Sequence, residues 1–186
     1  MKIVALVGST RNNSYNLRLA QYVQNKYQEQ LNVEILNLKE IPFYDQDIEV
    51  NPPAAVKELA HKVAEADAVL WVTPEYNYSI PGVLKNAIDW LSRGERVLVG
   101  KPSWIMGASM GGLGTVRAQQ HLRDILFSPG VSSPLLPGNE VYVGLVHEKI
   151  DEEGNLNHEA TELFLDVVVN NFVKWMKQQE AASAVK

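Results

Sequence analysis

The sequence predicts an α/β fold, a five-stranded parallel sheet with helices on both faces, and two observations carry that expectation. Short runs rich in β-formers, such as Lys2 to Val7 and Ala68 to Val72, alternate along the chain with stretches whose apolar residues return at helical spacing. The runs are near-continuous rather than alternating, as suits strands buried on both sides. Strands separated by helices need crossovers, and each crossover returns over one face of the sheet. Periodicity leaves the strand order open.

The first strand, Lys2 to Val7, stops at Gly8-Ser9. Ser14 then suits a helix N-cap, and Leu17, Ala20, Val23, Tyr27 and Leu31 mark the inner stripe of a helix from Tyr15 to Leu31. Val33 and Ile35 alternate in a second strand, Asn32 to Leu38, which completes a β-α-β unit. Pro52-Pro53 can open a second helix, striped by Val56, Leu59, Ala60 and Val63, ahead of the strand Ala68 to Val72. A helix opened by Pro81-Gly82 turns Leu84, Ala87, Ile88 and Leu91 inward, and the strand Ser103 to Met106 follows. Beyond Gly111-Gly112-Leu113-Gly114 we expect a helix from Thr115 to Phe127 and a fifth strand near Val131 to Leu136. The last helix, about Glu159 to Gln178, is expected to gather Leu163, Phe164, Val167, Val168 and Trp175 on one side. All of this fits one domain over residues 1–179, with 180–186 as a frayed tail.

Composition narrows the chemistry. With 46% hydrophobic and 21% charged residues, the 186-residue chain has the make-up of a globular protein with a proper core. A net charge of −5 and a pI near 5.4 argue against a nucleic-acid partner. The absence of cysteine excludes disulfides, thiol nucleophiles and thiolate metal sites, so any redox chemistry must come from a cofactor. The apolar start of the chain is too short for an export signal or a membrane span, so a cytoplasmic protein without a membrane partner is expected. His61, His121, His147 and His158 lack metal-ligand spacing, and no metal is expected.

Ligands of open parallel sheets gather at the carboxyl ends of the strands, so the loops after the first, third and fourth strands should converge. The first, Gly8 to Asn16, offers hydroxyls, amides and the Arg11 guanidinium just ahead of a helix N-terminus, where free N–H groups and the dipole favour an anion. It lacks the glycines of GxGxxG and the lysine of the Walker pattern, so a single terminal phosphate fits better than a pyrophosphate. The same residues would serve equally as a cap and turn. The second loop, Thr73 to Gly82, supplies the stacking surface and backbone amides that a flat heteroaromatic ring needs. The third, Gly107 to Gly114, lets backbone approach a ligand closely, or simply makes a tight turn.

Together the three loops resemble the NADPH-dependent FMN reductase family, which includes chromate, quinone and azo-dye reductases with a flavodoxin-like fold. The matching residues are Gly8-Ser9-Thr10-Arg11, Ser14, Asn16 and Leu17, then Pro74-Glu75-Tyr76-Asn77, Ser79, Pro81-Gly82 and Leu84 to Trp90, and finally Ser109, Gly111, Gly112 and Gly114. The resemblance implies that Ser9, Arg11, Ser14 and Asn16 hold the FMN phosphate, with Leu17 also in the FMN-binding set. It implies that Pro74, Glu75, Tyr76 and Asn77 line the isoalloxazine, and that Ser109, Gly111 and Gly112 close the opposite edge. FMN would carry the chemistry between NADPH or NADH and a small-molecule electron acceptor, with no dedicated acid or base side chain. It further implies a homodimer or homotetramer, whose contact surfaces would be the helices after Pro81 and Gly114; on the first of these helices Trp90 beside Leu91 suits an interface, or else both residues belong to the core.

Two rivals share the alternating pattern. A receiver domain would need acidic residues where this chain has Gly8-Ser9 and Thr73-Pro74. A flavodoxin-like FMN electron carrier without its own nicotinamide turnover is the stronger alternative.

Overall fold

The computed structural model describes residues 1–151 and 153–183. Its strands are β1 (Lys2–Val7), β2 (Asn32–Leu36), β3 (Ala68–Val72), β4 (Ser103–Ala108) and β5 (Val141–Val143), and its helices α1 (Tyr15–Lys26), α2 (Ala54–Glu65), α3 (Gly82–Leu91), α4 (Val116–Phe127) and α5 (Glu159–Ser183). Every strand pair is parallel, in the order β2-β1-β3-β4-β5. The chain winds outward to β2 from one side of β1 and to β3, β4 and β5 from the other, so the winding direction switches between β1 and β3. In such sheets that switch leaves a crevice at the carboxyl ends.

The near-continuous apolar strands are buried on both faces, as expected. Ile3, Ala5 and Val7 of β1 join a core made with α1 and α5, whereas Val4 and Leu6 join one made with α2, α3 and α4. The result is an α/β/α sandwich. On the first face α5 is pinned to α1 by polar contacts: the Tyr27 hydroxyl donates to Asp166 at 2.8 Å, and Lys26 lies 3.1 Å from the same carboxylate. Burial, and then the carboxylate beside it, push the Tyr27 hydroxyl above its ordinary titration range.

Several expectations are corrected. Helix α1 stops at Lys26 rather than Leu31, because Tyr27 leaves helical geometry and residues 27–30 turn the chain into β2. Strand β2 ends at Leu36 rather than Leu38. The fifth strand is not Val131 to Leu136: those residues join the sheet only at the start of β4, where Ser103 donates to the Pro134 carbonyl and Leu136 to that of Ser103. Pro134 has no N–H to extend the ladder, and the three residues Val141–Val143 take the edge instead.

The inner face of α5 is also different. Leu165, Val168, Val169, Phe172 and Met176 are buried, while Leu163, Phe164 and Val167 are exposed. This helix carries apolar residues around much of its circumference, and contact with the sheet selects the face, the Phe172 ring lying 5.6 Å from that of Trp104. Helix α5 continues through Ser183, and residues 184–186 of the expected tail lie outside the described residues. Trp90 and Leu91 are buried within the chain and cannot serve as interface residues. The Trp90 indole donates to the Pro42 carbonyl at 2.8 Å and helps Asn86 hold the segment after β2 against α3.

Candidate functional site

The loop after β1 is shaped mostly by bonds between near neighbours. Ser14 caps α1 as expected, its buried Oγ accepting from the Leu17 amide at 3.3 Å. The first-turn N–H groups of Tyr15 and Asn16 have no intrahelical acceptor by the geometry of a helix start. The Arg11 guanidinium is exposed, bonded to the Asn13 carbonyl at 2.6 Å and stacked 5.5 Å from the Tyr15 ring centroid. Ser9, Arg11 and Leu17 border one cleft of about 290 Å³ beside the end of β2. A larger polar cleft of about 760 Å³ lies between α1 and the segment near Asn155, and neither the β3 loop nor the β4 loop borders it.

Asn16 is placed differently from the expectation. Its side chain is buried and clamps β4, Nδ2 donating to the Ala108 carbonyl and Oδ1 accepting from the Ala108 amide, both at 2.9 Å. It thus ties the start of α1 to the end of β4. Alongside it, Gly8 donates to Val72 at 2.8 Å, and a Cβ on Gly8 would press on Leu84 and Pro74 at 3.2 and 3.3 Å. The β1 and β3 loops therefore meet backbone to side chain.

After β3, Pro74 is buried, and Tyr76 and Ser79 exchange backbone hydrogen bonds of 2.9 and 3.0 Å around Asn77 and Tyr78. Asn77 and Tyr78 have φ of 50° and 67°, the left-handed pair of a type I′ turn, which a tyrosine adopts only against strain. Tyr76 is 52% exposed, whereas the Glu75 carboxylate turns back toward α4. Its Oε2 accepts from the amides of Arg117 and Ala118 at 2.9 and 3.1 Å, which are the second and third residues of α4.

Contacts to the start of α4 complete this junction, and of the residues that make them Arg117 is the one the sequence motifs did not include. Arg117 lies 3.8 Å from the Tyr78 ring centroid, Ser79 Oγ is 3.0 Å from His121 Nδ1, and Gly107 packs so closely that a Cβ would sit 2.1 Å from Thr115 Oγ1. Asn77-Tyr78 was the available signal for the turn, since asparagine tolerates positive φ. Nothing local announces the partners on α4.

After β4, Ser109 Oγ accepts from the Gly111 amide at 3.1 Å, and Ser109 donates its own N–H to Val143 of β5. Gly111 and Gly112 are exposed, and a Cβ on Gly112 would meet open space. Their inner side rests on Gly144, where a Cβ would lie 2.2 Å from the Gly112 carbonyl. Met110 and Leu113 stand 58% and 66% exposed beside them.

These features fit FMN in type. Hydroxyls, first-turn amides and an unburied guanidinium suit a phosphate monoester. An exposed aromatic turn opposite an open glycine backbone suits the two edges of a planar ring. Among the described residues no three His, Asp or Glu side chains cluster in a way that could hold a metal. Among the described residues no helix is long and apolar enough to cross a membrane.

A parallel sheet in the order 2-1-3-4-5, with a hydroxyl-rich loop, an aromatic turn and a glycine loop meeting at its switch point, defines a flavodoxin-like nucleotide-binding protein. Residues 1–148 match the model of the NADPH-dependent FMN reductase family, and the chain belongs to that family. It is an FMN-dependent oxidoreductase that draws on a reduced nicotinamide. The chain is 37% identical over 185 residues to an NADH-dependent flavin reductase subunit 2 of Lactobacillus johnsonii, covering 97% of this chain and 100% of that one. It is 39% identical over 169 residues to a quinone reductase of Escherichia coli, covering 85% and 89%. Among solved structures it superposes on the NAD(P)H:acceptor oxidoreductase FerB of Paracoccus denitrificans with a TM-score of 0.87 at 33% identity, covering 96% and 98%.

Proposed function

We propose that this enzyme reduces flat, soluble acceptors of the quinone or free-flavin type with electrons from NADPH or NADH, at the crevice between the β1, β3 and β4 loops. The observation that carries this reading is the convergence of those loops: Asn16 reaches β4, Gly8 abuts Pro74, and Glu75 reaches α4. When bound, FMN supplies hydride acceptance and electron delivery. Ser9, Arg11, Ser14 and the first-turn amides of α1 would hold its phosphate, with Leu17 beside them. Pro74, Tyr76 and Asn77 would bound one side of the ring, and Ser109, Gly111 and Gly112 the other. The exposed apolar side chains Tyr76, Met110 and Leu113 leave a rim on which a planar apolar acceptor can rest. Relatives described as flavin and quinone reductases support that acceptor class.

As part of the same reading, two chains pair over this rim and the protein works in the cytoplasm, where reduced nicotinamides are available. Sedimentation at micromolar concentration should give a dimer or larger assembly, and monomer alone would refute the pairing.

The deciding measurement is a titration of the apoprotein with FMN followed by initial rates over a grid of nicotinamide and benzoquinone concentrations. We expect about one FMN per chain, from one crevice per sheet, and parallel double-reciprocal lines, because both substrates use one exposed ring face in turn. A protein that binds FMN without steady nicotinamide oxidation would instead be an electron carrier.

A further inference from the structure

Thr115 precedes α4 in the N-cap position, yet its hydroxyl does not cap the helix. That hydroxyl is buried, lies against Gly107 and accepts from the Gln119 side-chain Nε2 at 3.0 Å. The N–H groups of Arg117 and Ala118 would be left over, and an uncapped first turn is a costly place for free donors. The carboxylate of Glu75, 42 residues earlier in the chain, fills the vacancy with a bond to each. A negative group at a helix N-terminus is stabilised by the dipole as well as by the two bonds. The next residue along, Tyr76, opens the strained turn.

We propose that Glu75 is a positioning residue: it does not contact the flavin, but clamps the β3 turn to the start of α4 and so holds Tyr76 and Asn77 in the geometry that receives the ring. This rests on the FMN-site reading above and changes one role within it, since Glu75 had been expected at the isoalloxazine. The geometry supports the assignment from three sides. Both known partners of the Glu75 carboxylate are helix amides, and the two flanking contacts, Tyr78 with Arg117 and Ser79 with His121, also run to α4. The left-handed conformation at Asn77 and Tyr78 needs such external support to persist. A turn pre-formed before the ligand arrives lowers the ordering cost of binding.

The test uses the full chain without and with FMN. In Glu75→Ala apoprotein, amide hydrogen exchange at Tyr76 and Ser79, whose N–H groups close the turn, should speed up by about tenfold or more, the effect of losing a cap bond. FMN affinity should fall by a similar factor while the melting transition stays cooperative. Glu75→Gln keeps an oxygen that can accept the same N–H groups and should restore most of the exchange protection and most of the affinity. A second variant, Arg117→Pro, removes one of the two donors together with the contact to the Tyr78 ring, and it should speed exchange at Tyr76 and Ser79 and weaken FMN binding in the same direction. Weaker FMN binding by Glu75→Ala with unchanged exchange at Tyr76 and Ser79 in the apoprotein would overturn the proposal, because it would mean direct contact with the cofactor. Wild-type affinity and exchange in Glu75→Ala would overturn it too. Failure of the wild-type protein to bind FMN at all is a separate result and would instead remove the FMN-site reading.

Discussion

The loops after β1 and β3 meet at Gly8 and Pro74, yet they are held in opposite ways. In the β1 loop the shaping bonds join residues two or three apart: Ser9 with Arg11, Arg11 with Asn13, Ser14 with Leu17. In the β3 loop the shaping bonds beyond the turn itself run 42 or 43 residues away to α4. A loop held by its neighbours can keep its shape while its outer side stays open to an anion. A turn containing a strained tyrosine keeps its shape only if a second element braces it. One consequence is that substitutions in the first loop should separate binding from stability, whereas substitutions in the second should not.

Gly8, Asn12 and Asn16 are exceptions within the first loop, bonded to Val72, Lys39 and Ala108, and the buried Asn16 provides the largest effect. Replacing it by alanine strands the buried N–H and C=O of Ala108, at about 1–3 kcal/mol each. Urea unfolding of Asn16→Ala should therefore show a loss of about 2–6 kcal/mol. A loss near zero would mean that the end of β4 does not depend on this clamp.

Next comes Arg11→Ala, which should weaken FMN binding by about ten- to a hundred-fold, the worth of a charge-assisted bond to phosphate. Because Arg11 is exposed, the urea midpoint of the apoprotein should stay where it is. Equal FMN affinity in a titration would direct Arg11 elsewhere, and a shifted midpoint would erase the contrast between the two loops.

Ser14→Ala removes the α1 cap, a loss of about 1 kcal/mol in the same unfolding assay. If Ser14 also holds the phosphate, the loss should be larger with FMN bound than without it.

The smallest effect lies beneath α1, where the Asp151 carbonyl accepts from Arg18 at 2.9 Å. The backbone amide of Asn155, helped by the side chains of Asn155 and Asn157, holds the Asp151 carboxyl below its ordinary value. A lowered folded value means that the stabilisation is complete above the ordinary carboxylate range, near pH ~4, and is lost as pH falls through the folded value. Asp151→Asn should therefore flatten the acid limb of the stability profile and change little at neutral pH. A slope identical to wild type below pH ~4 would remove Asp151 from that account.

The sequence determined what interactions between near neighbours can encode. Apolar runs marked the strands, Ser14 marked a helix start because its hydroxyl serves an amide three residues on, and the loop motifs sufficed for the family. Only the tertiary structure decided the rest. The inner face of α5 depended on what Trp104 offers it, since apolar residues were available around the helix. Strand β5 is three residues long, too short to show a period, and its place follows from pairing with β4. Asn16 and Glu75 carried the right motif, but each side chain answers to a partner 92 or 42 residues away. A local pattern names the residue type; it does not contain the backbone amide that the chain will bring opposite it.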